Sequence, residues 1–232
     1  MMFSSCSDFL DREPSTELPS ETAITTVSDL KNAINGVGYL LSGDPVGFER
    51  MTYPGEFGLF ADLRSQDFKA ARDDGQTSEI RLYNYNPNGT YPDYGYRIFY
   101  AALANVNNAL ASVPNVTTSN AEEEKQVVDY TGQLLAWRGL LHFDLARMFC
   151  HIPTTVTNPE QSLGLVISDE LYPTDYKGTR SNLKETYKFI IDQFSAAIEL
   201  LGDEKSNGYF NKYAALALRA RAYLYNGEYD KA

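Results

Sequence analysis

Apolar residues between Leu183 and Leu201 recur every three or four positions: Leu183, Tyr187, Ile190, Ile191, Phe194, Ile198 and Leu201. That period puts them on one face of a helix, a face that must be buried against something else. The pattern returns along the chain. Val27, Leu30, Ile34, Val37 and Leu41 form one such stripe, and Tyr96, Tyr100, Leu103, Asn107 and Leu110 form another that Pro114 stops. Val127, Leu134, Leu141, Leu145 and Met148 form a third, which Leu135, Trp137, Phe143 and Phe149 widen until it must be buried on more than one side. The stretch from Tyr213 to Tyr225 is rich in Ala and apolar nearly all round. Such repetition predicts an all-α fold. Ser28, the Asn120/Glu123 pair and the Asn182/Glu185 pair are placed to cap three of these helices.

The segments between the helices carry as much information. Residues 42–92 hold no sustained helical period and many Gly, Pro, Asn and Asp, so they read as a long irregular insertion, a kind of loop that is usually functional. Within it, Ile80 to Tyr85 alternates enough to admit one short strand. At the other end, Tyr-Leu-Tyr-Asn-Gly-Glu-Tyr-Asp-Lys-Ala after the Ala-rich helix is the turn of a tetratricopeptide-type helical hairpin. Gly227 suits the left-handed position there, Tyr229 is expected to pack into the groove, and Ala232 to open a second helix. The natural protein is therefore expected to continue beyond Ala232. Residues 1–20 read as an anchor and tether, with Phe3, Ser4, Ser5 and Cys6 fitting a lipoprotein lipobox and Pro14 and Pro19 in an extended run. Residues 21–232 read as one helical domain.

Charge and missing motifs exclude several classes. With 31 acidic against 20 basic residues and a net charge of -11, the chain would repel a phosphate backbone, so no nucleic-acid partner is expected. No run approaches the roughly 20 apolar residues of a membrane span, leaving a lipid on Cys6 as the only route to a membrane. There is no P-loop, G-x-S-x-G, H-E-x-x-H or C-x-x-C. His142 and His151 have no evident nucleophile partner, and structural roles are expected for both. Asp73, Asp74, Gly75 and Glu79 do not make an EF-hand, because aligning Gly75 with its invariant glycine puts Ala70 and Arg81 at ligand positions. Neither catalytic residues nor a cofactor or metal is expected.

Four segments occur in an order and spacing that resembles SusD-like (RagB/SusD family) proteins. They are Cys6 followed by Asp8, Phe9, Leu10, Asp11 and Pro14; the Tyr96, Tyr100, Leu103, Asn107, Leu110 helix; Leu135, Ala136, Trp137, Arg138, His142, Phe143, Leu145, Phe149 and Pro153; and Arg180, Ser181, Glu185, Tyr187, Ile190 and Ala197 before the Ala-rich helix. The sequence departs from the family pattern at Gly139 and Cys150. The resemblance implies the N-terminal part of a surface-exposed lipoprotein of the outer membrane that captures oligosaccharides, or in some members peptides, and closes over a TonB-dependent SusC-like transporter. A protein-binding repeat adaptor is the alternative. The family supplies no residue-for-residue match for the ligand site. Stacking on sugar rings needs exposed aromatics among hydrogen-bonding side chains, and the irregular segment offers Tyr83, Tyr85, Tyr91 and Tyr94 with Asp67, Arg72 and Asp73.

Overall fold

The computed structural model describes residues 23–43, 52–67, 78–83, 90–173 and 175–232, and all statements below concern these residues. Helices dominate: α1 (Val27–Ser42), α2 (Glu56–Leu59), α3 (Ser78–Arg81), α4 (Thr90–Ser112), α5 (Ala121–Phe149), α6 (Leu183–Leu200) and α7 (Lys212–Asn226). There is no strand among the described residues, only isolated bridges such as Leu163 with Asn182. The all-α expectation stands.

The central residues of the predicted stripes are buried, while members such as Tyr96 stay exposed. Leu30, Ile34, Val37 and Leu41 of α1 meet Leu103 and Val106 of α4, Leu134, Leu141 and Leu145 of α5, and Tyr187, Ile190 and Phe194 of α6 in one core. A smaller cluster of Ala136, Ala197, Ile198, Leu201 and Ala215 joins α5, α6 and α7. The departure at Gly139 has a packing reason: a Cβ there would lie 3.0 Å from the Phe194 ring, so the glycine lets α5 and α6 close on each other. At Cys150 the backbone is extended (φ -120°), so the turn after Phe149 does not require glycine.

Helix ends differ in detail from the sequence expectations. The cap of α1 is Thr26 rather than Ser28, because Thr26 and Asp29 satisfy each other's backbone donors at 3.2 and 2.9 Å. Asn120 does cap α5, accepting from Glu122 and Glu123, but the Glu123 carboxylate takes the N–H of Ser119 instead of completing the reciprocal pair. Asn182 and Glu185 form the full capping box of α6. The strand admitted at Ile80 to Tyr85 is instead the helical turn α3, closed by the Tyr83 N–H on the Ile80 carbonyl at 3.2 Å. That turn buries Ile80 and leaves Leu82 outside. Helix α4 starts at Thr90, before Pro92, since proline in the first turn lacks only a donor that would be unpaired anyway. Tyr91 and Tyr94 are therefore helical, not loop residues. Gly227 is left-handed as expected (φ 80°). Tyr229, however, is 64% exposed: the chain enters a 3-10 turn there, and the place against Phe143 is taken by Tyr225, 5.2 Å away.

The connection between α5 and α6 folds back as a hairpin across α4 and α5, paired by Gly164 N–H to Ser181 O and Ser181 N–H to Leu165 O, both 2.7 Å. Buried polar side chains hold it down. The Tyr100 hydroxyl donates to Val166 O (2.7 Å), and the Asn107 amide donates to Ser168 O and Glu170 O (3.1 and 3.0 Å). Arg138 donates to Asp169 O (2.8 Å) and Gln193 Oε1 (2.8 Å), and to Asn107 Oδ1. His142 is fully buried and accepts the Ser168 N–H on Nε2 at 3.0 Å. Its Nδ1 must then carry the proton, which it donates to Arg138 O at 2.8 Å. The structural role expected of His142 is therefore the one found.

Candidate functional site

Tyr83 is the feature of the insertion that stands out. It is 58% exposed and has a φ of 53°, the left-handed region that non-glycine residues enter at a cost of roughly 1–2 kcal/mol. Its hydroxyl donates to the carbonyl of Arg64, which fixes the ring while leaving it in solvent. The Arg64 guanidinium lies 5.6 Å from the Tyr83 ring centroid and 5.1 Å from that of Phe60. Leu59, Leu82 and Tyr83 are all exposed around it. Asp67 is also exposed, three residues after Arg64, its N–H on Ser65 Oγ at 3.2 Å. The arrangement is a ledge of an aromatic face and a cation open to water, with the exposed Asp67 three residues further along the same segment.

The ledge is tethered to the core by Tyr53. Its N–H donates to Leu41 O (3.0 Å), its ring meets Phe57 and Phe99 edge-on at 5.3 and 6.0 Å, and its hydroxyl donates to Asp144 Oδ2 at 2.7 Å. Asp144 is buried in α5 and also pairs with Arg147 at 2.8 Å. Burial pushes the Asp144 carboxyl above its ordinary range, against the pull of Tyr53 and Arg147 toward the charged form. Tyr53 rises as well, through burial first and then the Asp144 charge.

Of the residues expected at the site, Asp67 and Tyr83 are on the same exposed segment pair. Tyr91 and Tyr94 are on the first turns of α4, with side chains outside the described residues, and Arg72, Asp73, Tyr85 and Cys6 also lie outside them. The sequence reading missed Arg64, for which Phe60 four residues earlier is the available signal, and Tyr53, which has no local signal because its partner is 91 residues away. Elsewhere on α4, Tyr96 is 40% exposed and lies over Tyr100, with ring centroids 4.3 Å apart, and against Phe149 at the end of α5. No group of three or more His, Cys, Asp or Glu side chains among the described residues could hold a metal, and no described helix is long and apolar enough to cross a membrane.

Comparison with known proteins matches residues 8–224 to a family described as "Starch-binding associating with outer membrane". A curated relative, SusD-like protein P38 of Formosa agariphila, is 21% identical over the whole chain, which spans 41% of that protein. A crystal structure of a SusD superfamily protein from Bacteroides vulgatus superposes with a TM-score of 0.79 at 30% identity, covering 90% of this chain and 45% of the other. Another from Bacteroides thetaiotaomicron gives 0.77 at 27% identity, covering 89% and 44%. A laminarin-binding SusD-like protein shares the fold at 20% identity, with a TM-score of 0.67, over 90% of this chain and 42% of its own. The chain thus spans less than half the length of these relatives.

Proposed function

The chain belongs to the SusD-like family, and from that premise we propose that it is the N-terminal part of a non-catalytic lipoprotein that captures oligosaccharide at the outer membrane and passes it to a TonB-dependent SusC-like transporter. The family match over residues 8–224 is the observation that carries this reading. The ledge supports it chemically. A pyranose ring offers a flat C–H face and a rim of hydroxyls, which an immobilised tyrosine face, a guanidinium and a carboxylate complement. Backbone strain kept at an exposed aromatic residue is a further mark of a ligand contact. The proposed site comprises Tyr83 and Asp67 together with Arg72, Asp73, Tyr85, Tyr91 and Tyr94. Tyr53 and Asp144 position the segment without touching ligand.

Tyr83→Ala is expected to weaken binding of laminarin or starch oligosaccharide by about 1–2 kcal/mol, with Tyr83→Phe nearer to wild type because the ring is kept. Isothermal titration against both glycans measures this. A wild-type chain that binds neither, yet captures a peptide ligand, would replace the glycan reading with the peptide-binding one. Incubation with the same glycans should release no reducing ends. Anchoring is tested apart from binding: with a complete signal peptide upstream, Cys6→Ala is expected to move the protein from the membrane to the soluble fraction, since acyl chains supply the attachment. An unchanged distribution would remove Cys6 as the lipidation site.

A further inference from the structure

The α5–α6 hairpin carries a second aromatic feature outside the ledge. Tyr172 and Tyr176 stack with ring centroids 4.0 Å apart and planes 11° from parallel. The Tyr172 hydroxyl donates to Asp169 Oδ1 at 2.7 Å, which fixes its ring, and Tyr176 is 47% exposed. Leu171 beside them is 53% exposed, and Asp169, Asp175 and Lys177 stand around them in solvent. Gly178 makes the pose possible, because a Cβ there would sit 2.9 Å from the Tyr176 ring and 2.4 Å from Val166. The base of this pair is rigid: the backbone at Ser168, Asp169 and Glu170 is held by Asn107, Arg138 and His142. A stacked pair, with Tyr176 exposed and Tyr172 half-buried, thus sits on a backbone pinned to two helices, α4 and α5.

We propose that Tyr172 and Tyr176 form a second stacking platform for a neutral polysaccharide, an inference that rests on the glycan-capture reading. The hydroxyl of Tyr172 is already taken by Asp169 and one face of each ring by the other, so what the pair offers a ligand is its outer aromatic surface, chiefly that of the exposed Tyr176. A sugar ring fits a bare aromatic face and can place its hydroxyls on Asp169, Asp175 and Lys177 at the rim. The carboxylates, in a chain of net charge -11, disfavour an acidic polymer. A protein partner would call for apolar anchors entering a pocket, whereas these rings stand among charged side chains. A long polysaccharide engaging both this pair and the Tyr83 ledge would bind more tightly than either contact alone allows.

The test is affinity electrophoresis of the full chain through gels containing laminarin or starch, with Tyr172→Ala/Tyr176→Ala, Tyr172→Phe and Tyr83→Ala alongside. Retention of the double variant should weaken about tenfold, the size expected for losing a stacking contact, while Tyr172→Phe, which keeps the ring, stays near wild type. If the double variant melts early, Tyr176→Ala alone, which leaves the Tyr172 to Asp169 bond in place, carries the test. Undiminished retention of the platform variants beside impaired Tyr83→Ala would overturn the platform and leave the glycan reading standing. A wild-type chain retained by neither polysaccharide would overturn both.

Discussion

Replacing Arg138 with alanine is expected to destabilise the chain by about 3 kcal/mol, at the upper end of what single substitutions do. The guanidinium joins four elements at once: α5 carries it, Gln193 of α6 and Asn107 of α4 accept from it, and the Asp169 carbonyl places the hairpin against it. Truncation would leave Asn107, which is 2% exposed, and the Gln193 amide oxygen without their donor, and each unsatisfied buried group costs about 1–3 kcal/mol. The Arg138 side chain also lies over the Phe189 ring at 5.9 Å, so packing is lost with the hydrogen bonds. Arg138→Lys should recover little, because a compact ammonium cannot reach three divergent acceptors as a planar fork does. Urea unfolding of the three proteins measures the effect, and a loss below about 1 kcal/mol for the alanine variant would show that the hairpin is held by its other contacts.

This network also gives physical content to part of the family resemblance. Tyr100, Asn107, Arg138 and His142 were singled out from sequence as pattern residues, and in the structure all four grip the backbone of one connection. None belongs to the ledge. They fix a scaffold on which the exposed residues are free to differ.

The helices were legible because burial writes its period into the sequence: Leu30, Ile34, Val37 and Leu41 had to share a face, and they do. Helix ends were less so, since Thr26, Ser28 and Asn120 are all competent caps and only backbone geometry selects among their partners. The turn at Tyr83 was hidden for a different reason. Ile80 and Leu82 alternate as a strand would, but α3 buries Ile80, leaves Leu82 exposed and is followed by a left-handed Tyr83 that no propensity favours. Tyr83 and Asp67 could be anticipated as exposed hydrogen-bonding and stacking groups. Tyr53, by contrast, acquires its role only when α5 brings Asp144 beneath it, and a long-range contact of that kind leaves no local trace.

The other large effect expected is a loss of stability in mild acid that belongs to His142. Burial holds its imidazole down at about 4, against an ordinary value of 6.5, and the Arg138 charge lowers it further while its hydrogen bond to the Arg138 carbonyl and the Asp169 charge act the other way. Between those two values the unfolded chain binds a proton that the folded chain refuses, so stability rises with pH across the window. The contribution is complete above about pH 6.5 and is lost as pH falls toward 4. At roughly 1.4 kcal/mol per unit, it amounts to about 2 kcal/mol between pH 7 and pH 5 and about 3 kcal/mol in all. The structural cause is specific: protonated Nε2 could no longer accept the Ser168 N–H, and a second cation would face Arg138 in a buried site. Asp144 works in the opposite direction, since its raised pKa lets the folded chain take up a proton before the unfolded one does as pH falls. His142→Gln separates the two, because an amide can still donate to Arg138 O and accept from Ser168 without titrating. The wild type should lose about 2 kcal/mol more than this variant between pH 7 and pH 5 in urea titrations, and parallel losses in the two proteins would place the acid sensitivity elsewhere.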